Sequence, residues 1–156
     1  MSDIRLELSD EDFLGDFVIS ANDIDIDDGL ETSVVISLFT DARAQDGTEI
    51  IDGTDDPRGF WGDTFNDDVD DQTGSLLWTL EREKQTTLVL RRAEQYCRDA
   101  LVWMIEDRVA SQITVVAEIV DDGILGLNIQ IQRPSDDAIK YRYDYAWRQQ
   151  AFRRVN

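Results

Sequence analysis

Alternation of apolar and polar residues in the last third of the chain is the feature that most limits its fold. Four aliphatic residues alternate with small or polar ones over residues 125–132. Because successive side chains of a β-strand point to opposite faces of the sheet, this pattern predicts a strand with one buried face. A second apolar run covers residues 113–120, and Asp121-Asp122-Gly123 between them is typical of a turn. The two runs therefore predict a β-hairpin.

A third strand is predicted after the turn at residues 134–137. It alternates apolar with polar or small residues, and its apolar members are Ile139, Tyr141, Tyr143, Tyr145 and Trp147. The last strand of a meander tends to lie at a sheet edge, where it can accept a strand from another protein. We therefore take Tyr141, Tyr143 and Tyr145 as candidate partner-binding residues. Arg142 and Arg148 in the same segment fit ordinary protection of an edge equally well.

Two helices are predicted upstream of the meander. The longer runs from about Thr87, a plausible N-cap, to about Asp107, with apolar residues three or four positions apart. These residues are Val89, Ala93, Tyr96, Cys97, Ala100, Leu101, Trp103 and Met104. The shorter helix follows Ser75 as its cap and carries Leu76, Leu77, Trp78 and Leu80.

The first half of the chain is strand-like and then acidic. Residues 17–39 predict an N-terminal β-hairpin that turns at Asp28-Gly29, and residues 40–73, rich in Asp and Gly, predict a long and partly mobile acidic loop. We expect a single α+β domain over residues 1–156. In it, a short helix and a long amphipathic helix pack on a C-terminal antiparallel β-meander, the core formed by residues 74–156.

Charge and composition exclude several classes of function. The net charge is -19, and residues 1–81 hold 23 acidic and three basic residues. Nucleic-acid binding is disfavoured, because phosphates are bound by clusters of Lys and Arg. The acidity fits either binding to a basic partner protein or adaptation to high salt.

The sequence contains few residues suited to catalysis or to binding a cofactor. Histidine is absent, and Cys97 is the only cysteine, so neither an intrachain disulfide nor a cysteine-based zinc site is expected. We expect no cofactor. No apolar run approaches the roughly 18 residues of a membrane span, and the N-terminus lacks a signal-peptide pattern, so we expect the chain to stay in the cytoplasm in which it is made.

The many carboxylates leave two minor possibilities, a calcium site and a glycosidase-like active site. Asp23, Asp25 and Asp27 resemble the start of a calcium loop, but the sixth and twelfth positions of that loop hold Asp28 and Val34. A solvated strand face explains them more simply, and the same holds for the aspartates of residues 67–71. Paired carboxylates also leave a glycosidase-like hydrolase open, with Glu106 at a helix end as its acid.

Large aromatic residues lie in or beside the polar loop. Phe60, Trp61 and Trp78 either pin the loop to the core or form an anchor for a partner, and the sequence is compatible with both.

An ordered series of motifs resembles the Mu-like phage baseplate wedge family, which is related to the small wedge proteins that start the tail sheath of other contractile phages. The motifs are Asp28-Gly29-Leu30-Glu31-Thr32 to Leu38-Phe39-Thr40, Arg58-Gly59-Phe60-Trp61-Gly62-Asp63, Gly74-Ser75-Leu76-Leu77-Trp78, Ala100-Leu101-Val102-Trp103 and Val109-Ala110-Ser111. The sheath-starting wedge proteins carry Glu-Pro-Arg between helix and strand. Here Glu106-Asp107-Arg108 occupies that place, with Asp107 departing from the pattern.

The resemblance implies a non-enzymatic structural subunit of a virion tail baseplate, in a phage or a prophage. Such a subunit binds other wedge proteins and sheath or hub proteins, is present in several copies and helps to start the sheath. It implies a partner-binding role for Glu106 and Arg108, to which the loop aromatics Phe60 and Trp61 are added as candidates. The alternative is a tail-associated, lysozyme-like cell-wall hydrolase that uses paired carboxylates.

Overall fold

The computed structural model describes most of the chain after residue 29 and the backbone of six short strands before it. The residues described with their side chains are 30–48, 50, 54–66, 72–135, 137–146 and 151–155. The N-terminal strands are β1 (Asp3–Ile4), β2 (Leu6–Leu8), β3 (Gly15–Phe17), β4 (Ile19–Ser20), β5 (Asp23–Ile24) and β6 (Ile26–Asp27). They form antiparallel pairs, β1 with β6, β2 with β3 and β4 with β5.

The predicted hairpin over residues 17–39 is wrong in its second half, because Leu30–Phe39 is a helix, α1. Val34 and Leu38 are buried, and so are the polar Thr32 and Ser37. A short apolar run without a clear period is compatible with a buried strand or a buried helix, and here neighbouring elements cover several sides of a helix. The Asp28-Gly29 turn lies outside the described residues.

In the part of residues 40–73 that the structure describes, Trp61–Phe65 forms a short 3-10 turn. Asp41 and Ser75 form an isolated parallel bridge, which brings the two ends of the loop together. A second 3-10 turn, Leu77–Leu80, replaces the predicted short helix. The Ser75 hydroxyl accepts the N–H of Leu77 at 3.2 Å, close to the predicted capping role.

The long amphipathic helix is confirmed, with a bend. It consists of α2 (Thr87–Ala100) and α3 (Trp103–Glu106), and Thr86, one residue before the predicted cap, accepts the N–H of Val89. The predicted apolar face is buried at Val89, Ala93, Cys97, Leu101 and Met104. None of the helices that the structure describes is long and apolar enough to cross a membrane.

The C-terminal sheet has four antiparallel strands rather than three. They are β7 (Gln112–Asp121), β8 (Ile124–Gln132), β9 (Ala138–Ala146) and β10 (Ala151–Arg154), in the order β10-β9-β8-β7. In the register, Val115 opposes Ile129, and Ile129 opposes Tyr141. These side chains lie on one buried face, which forms a common hydrophobic core with α1 and α2.

Candidate partner-binding site

Three aromatic side chains in the acidic loop form an exposed cluster, which we call the aromatic cap: Phe60, Trp61 and Phe65. Trp61 is 73% exposed and Phe65 78% exposed. The rings of Trp61 and Phe65 meet edge to face with centroids 6.1 Å apart, and the centroids of Phe60 and Trp61 are 5.5 Å apart. Exposed aromatic clusters contribute little to folding and commonly mark interaction surfaces. Trp61 therefore fits the anchor interpretation.

Arg58 holds the base of the cap against the core. Its guanidinium lies 4.4 Å from the centroid of the Trp78 ring and donates to Asp41 Oδ2 at 2.8 Å. Trp78 is buried, and its indole Nε1 donates to the carbonyl oxygen of Ala42 at 2.9 Å. Trp78 is thus the residue that pins the loop, while Trp61 faces solvent.

Two glycines and one carboxylate shape the backbone that carries the cap. A Cβ at Gly62 would lie 2.3 Å from the Phe60 ring, so a side chain there would displace that ring. Gly59 has a φ of +119°, a conformation that other residues rarely adopt. The carboxylate of Asp63 accepts the N–H of Thr73 at 3.1 and 3.2 Å from its two oxygens. The cap is therefore attached at both ends of its loop segment.

A groove of about 760 Å³ lies beside the cap, between the helices and the two ends of the acidic loop. Its helix-borne lining includes Tyr96, Asp99, Trp103 and Glu106. A second depression, of about 520 Å³, is lined by Phe60 and Trp61. Arg43 and Gln72 line both depressions. Glu106 and the cap thus lie on one continuous surface, which the sequence did not predict.

The Glu106-Asp107-Arg108 segment forms the exposed end of α3. Arg108 has a φ of 59°, the left-handed conformation that often ends a helix and is usually taken by glycine. The N–H of Ala110 then donates to the carbonyl oxygen of Met104 at 2.9 Å, so the chain turns sharply towards β7. Arg108 is exposed but lies outside the lining of both depressions. A left-handed residue provides the turn without the proline of the Glu-Pro-Arg pattern.

The prediction that Tyr141, Tyr143 and Tyr145 lie on an edge strand is wrong. β10 pairs with β9 from Ala151 opposite Ala146 onward, so β9 is an inner strand and the sheet edges are β7 and β10. The three tyrosines are buried in the core, and burial raises the pKa of Tyr143 and Tyr145 above that of an exposed tyrosine. Their side chains stabilise the fold, and a partner-binding role for them stays a prediction.

Catalytic and metal-binding groups are sparse in the part of the chain that the structure describes. Cys97 is fully buried, and desolvation raises the pKa of its thiol, so the reactive thiolate is disfavoured. Among the described residues, no group of three or more Cys, Asp or Glu side chains is arranged to hold a metal ion. The side chains of Asp23, Asp25 and Asp27, and residues 67–71, lie outside the described residues.

The family model and the two related proteins that match this chain are all described as gp46. The model of a family described as phage protein GP46 matches residues 30–138, which include the cap, the groove and the end of α3. The chain is 42% identical over 133 residues to the baseplate protein gp46 of Escherichia phage Mu, covering 85% of this chain and 90% of that protein. It is 35% identical over 147 residues to the Mu-like prophage FluMu protein gp46 of Haemophilus influenzae, covering 94% and 98%.

Proposed function

Because the chain belongs to the phage protein GP46 family, we propose that it is a non-enzymatic structural subunit of the baseplate of a contractile phage-type tail. In this role it acts as one domain in the baseplate wedge. It binds other wedge proteins and sheath or hub proteins, is present in several copies, and helps to start the tail sheath. Its relative from phage Mu is a baseplate protein, which supports the assembly to which we assign it.

The structural observation that carries the partner-binding part of this proposal is the aromatic cap. A protein that acts alone gains little from Trp61 and Phe65 in water, since exposed apolar area lowers solubility. Here the loop that carries them is held to the core through Arg58 and Trp78. Rigid, exposed aromatics are the usual anchors of protein interfaces, because burying them removes much apolar surface with little loss of side-chain entropy.

Glu106 and Arg108 are the second part of the proposed interface. Both side chains are exposed at the end of α3, and Glu106 lines the groove that continues to the cap. Charged groups at an interface set the orientation and rate of docking more than its affinity. We therefore assign them the role of orienting a wedge partner, with the aromatic cap supplying apolar contact.

A native pull-down from cells that express the complete tail operon tests the proposal. The variant combines Glu106→Ala with Arg108→Gly, because glycine suits the left-handed backbone at residue 108. The matched control combines Glu118→Ala with Arg142→Ala, an exposed ion pair on the sheet with a 3.1 Å separation. We expect wild type and control to recover wedge proteins and the E106A/R108G variant to recover much less. Recovery of no baseplate protein by wild type would overturn the proposal.

One geometric observation keeps the hydrolase alternative testable. Asp99 and Glu106 line the same groove, as paired carboxylates in a glycosidase do. Glu106 is exposed, however, whereas a carboxylic acid that donates a proton near neutral pH usually lies in an apolar pocket. We expect the pure protein to release no soluble fragments from peptidoglycan between acid and neutral pH. Turnover that is lost in Glu106→Gln would support the hydrolase instead.

A further inference from the structure

We infer that the aromatic cap docks an arginine-bearing segment of a partner protein, with one guanidinium stacked on Trp61. The inference rests on the proposed function, because the partner is taken to be another protein of the same assembly. It adds the chemistry of that partner, which neither the family nor its relatives specify.

Charge around the cap favours a cationic partner. Residues 43–72, which include the cap, contain ten acidic residues and two basic ones, Arg43 and Arg58. The guanidinium of Arg58 is already engaged, since it pairs with Asp41 and stacks on Trp78. This segment of the chain is therefore strongly acidic, and such charge attracts and orients positively charged segments. A purely apolar or acidic segment would leave these charges uncompensated.

The exposed indole makes arginine the better of the two basic residues. Trp61 is 73% exposed, so much of the ring is open to a ligand. A cation over an indole face is attracted by the ring quadrupole, and tryptophan binds cations better than other aromatics do. The planar guanidinium stacks on a ring and is less strongly hydrated than the lysine ammonium, so it loses less on docking.

Acceptors beside the ring suit the guanidinium N–H groups. Asp63 and Asn66 line the depression next to Trp61, together with Arg43 and Arg58. The carboxylate of Asp63 accepts the N–H of Thr73, and a carboxylate has about four lone-pair sites, so it retains capacity for a guanidinium. An arginine on Trp61 would thus find a π-face and a carboxylate together.

Two labelled nine-residue peptides, all-arginine and all-lysine, serve as probes of equal charge. Their Kd values are measured by fluorescence anisotropy at low salt for wild type, Trp61→Ala and Leu88→Gln. Leu88 is 65% exposed on α2 and provides a matched apolar control away from the cap. We expect wild type and L88Q to bind the arginine peptide about two- to fivefold more tightly than the lysine peptide. In W61A the lysine affinity should be retained, because no charge is changed, and the arginine preference should disappear.

Either of two results overturns the inference: no arginine preference in wild type, or a preference that survives in W61A. The pull-down from tail-expressing cells separates this from failure of the proposed function. Recovery of baseplate proteins by wild type without an arginine preference leaves the function intact and points to an apolar segment on the cap. Recovery that is equal for wild type and W61A removes the cap from the interface. No recovery by wild type overturns the function itself.

Discussion

The guanidinium of Arg58 lies over the ring of Trp78, 4.4 Å from its centroid, and joins the acidic loop to the helix-sheet core. The same guanidinium pairs with Asp41 at 2.8 Å. Arg58 adopts this position at a backbone φ of 51°, which is unfavourable for a residue with a Cβ. Its side-chain contacts therefore offset local backbone strain.

Replacing Arg58 tests that balance. We expect Arg58→Ala to lower the free energy of unfolding by about 1–2 kcal/mol, because it removes the stacking and the ion pair and leaves the strain. Arg58→Gly should lose about 1 kcal/mol less, since glycine adopts the left-handed conformation readily. Urea unfolding measures both. The exposed Arg91→Ala is the control, and equal values for R58A and R91A would show that the Arg58 side chain does not stabilise the fold.

Replacing Arg108 by glycine should not destabilise the fold as replacing Arg58 does. Arg108 also has a left-handed backbone, but its side chain is exposed. Arg108→Gly should keep or raise the free energy of unfolding, by up to about 1 kcal/mol. Arg108→Val should lower it by about 1–2 kcal/mol, since a β-branched residue tolerates positive φ poorly. Thermal unfolding compares the two. A stability loss in R108G would mean that the arginine side chain supports the fold, which conflicts with a role reserved for partner contact.

Glu94 protects the outer edge of the sheet. Its Oε1 accepts the backbone N–H of Ala117 on the edge strand β7 at 3.1 Å. We expect Glu94→Ala to cost about 1–2 kcal/mol, because the buried N–H loses its acceptor, and Glu94→Gln to cost less because an acceptor remains. Amide hydrogen exchange at Ala117 should accelerate in E94A and much less in E94Q. Unchanged exchange at Ala117 in E94A would exclude the edge-protection role.

Alkaline pH should destabilise the protein through its buried thiol and phenols. Burial raises the pKa of Cys97 and Tyr143 in the folded state, so the folded protein holds protons that the unfolded chain releases. Their stabilising contribution is complete below the unfolded pKa values, of about 8.5 for Cys and 10 for Tyr, and is lost as the pH rises above them.

Urea unfolding between pH 8 and 11 measures this loss. Each group adds a slope of about 1.4 kcal/mol per pH unit once it ionises in the unfolded chain. Cys97→Ala should remove the slope that begins near pH 9, and Tyr143→Phe should reduce the slope above pH 10. A pH profile identical to that of wild type in both variants would contradict this account.

The sequence was sufficient to predict the buried face of those elements in which apolar residues recur at a regular spacing. The recurrence of Val89, Ala93 and Cys97 identified the buried face of α2, with the cap misplaced by one residue. The alternation in residues 125–132 identified the inward face of β8. In both cases one stripe of apolar residues corresponds to one buried face, so local pattern and tertiary environment agree.

The sequence was ambiguous where an element is apolar on several sides. Residues 34–39 predicted a strand from their β-branched composition, yet they complete α1. The packing that favours the helix comes from distant residues: Phe39 stacks on Phe152 with centroids 3.8 Å apart, and Trp103 Nε1 donates to Ser37 Oγ at 3.1 Å. The intrinsic preference of these residues for a strand is small compared with the stabilisation that such contacts provide.

By itself, then, the sequence determined the α+β class, the amphipathic helix, the meander and the acidic, histidine-free character of the chain. Only the tertiary structure decided which aromatics are buried. Both Trp61 and Trp78 were compatible with pinning the loop or anchoring a partner. Trp78 is buried and contacts Ala42 and Arg58 over long range, whereas Trp61 is left in solvent. Likewise β9 is internal because β10 folds back beside it. Exposure depends on which distant segments meet, and a local pattern does not contain that information.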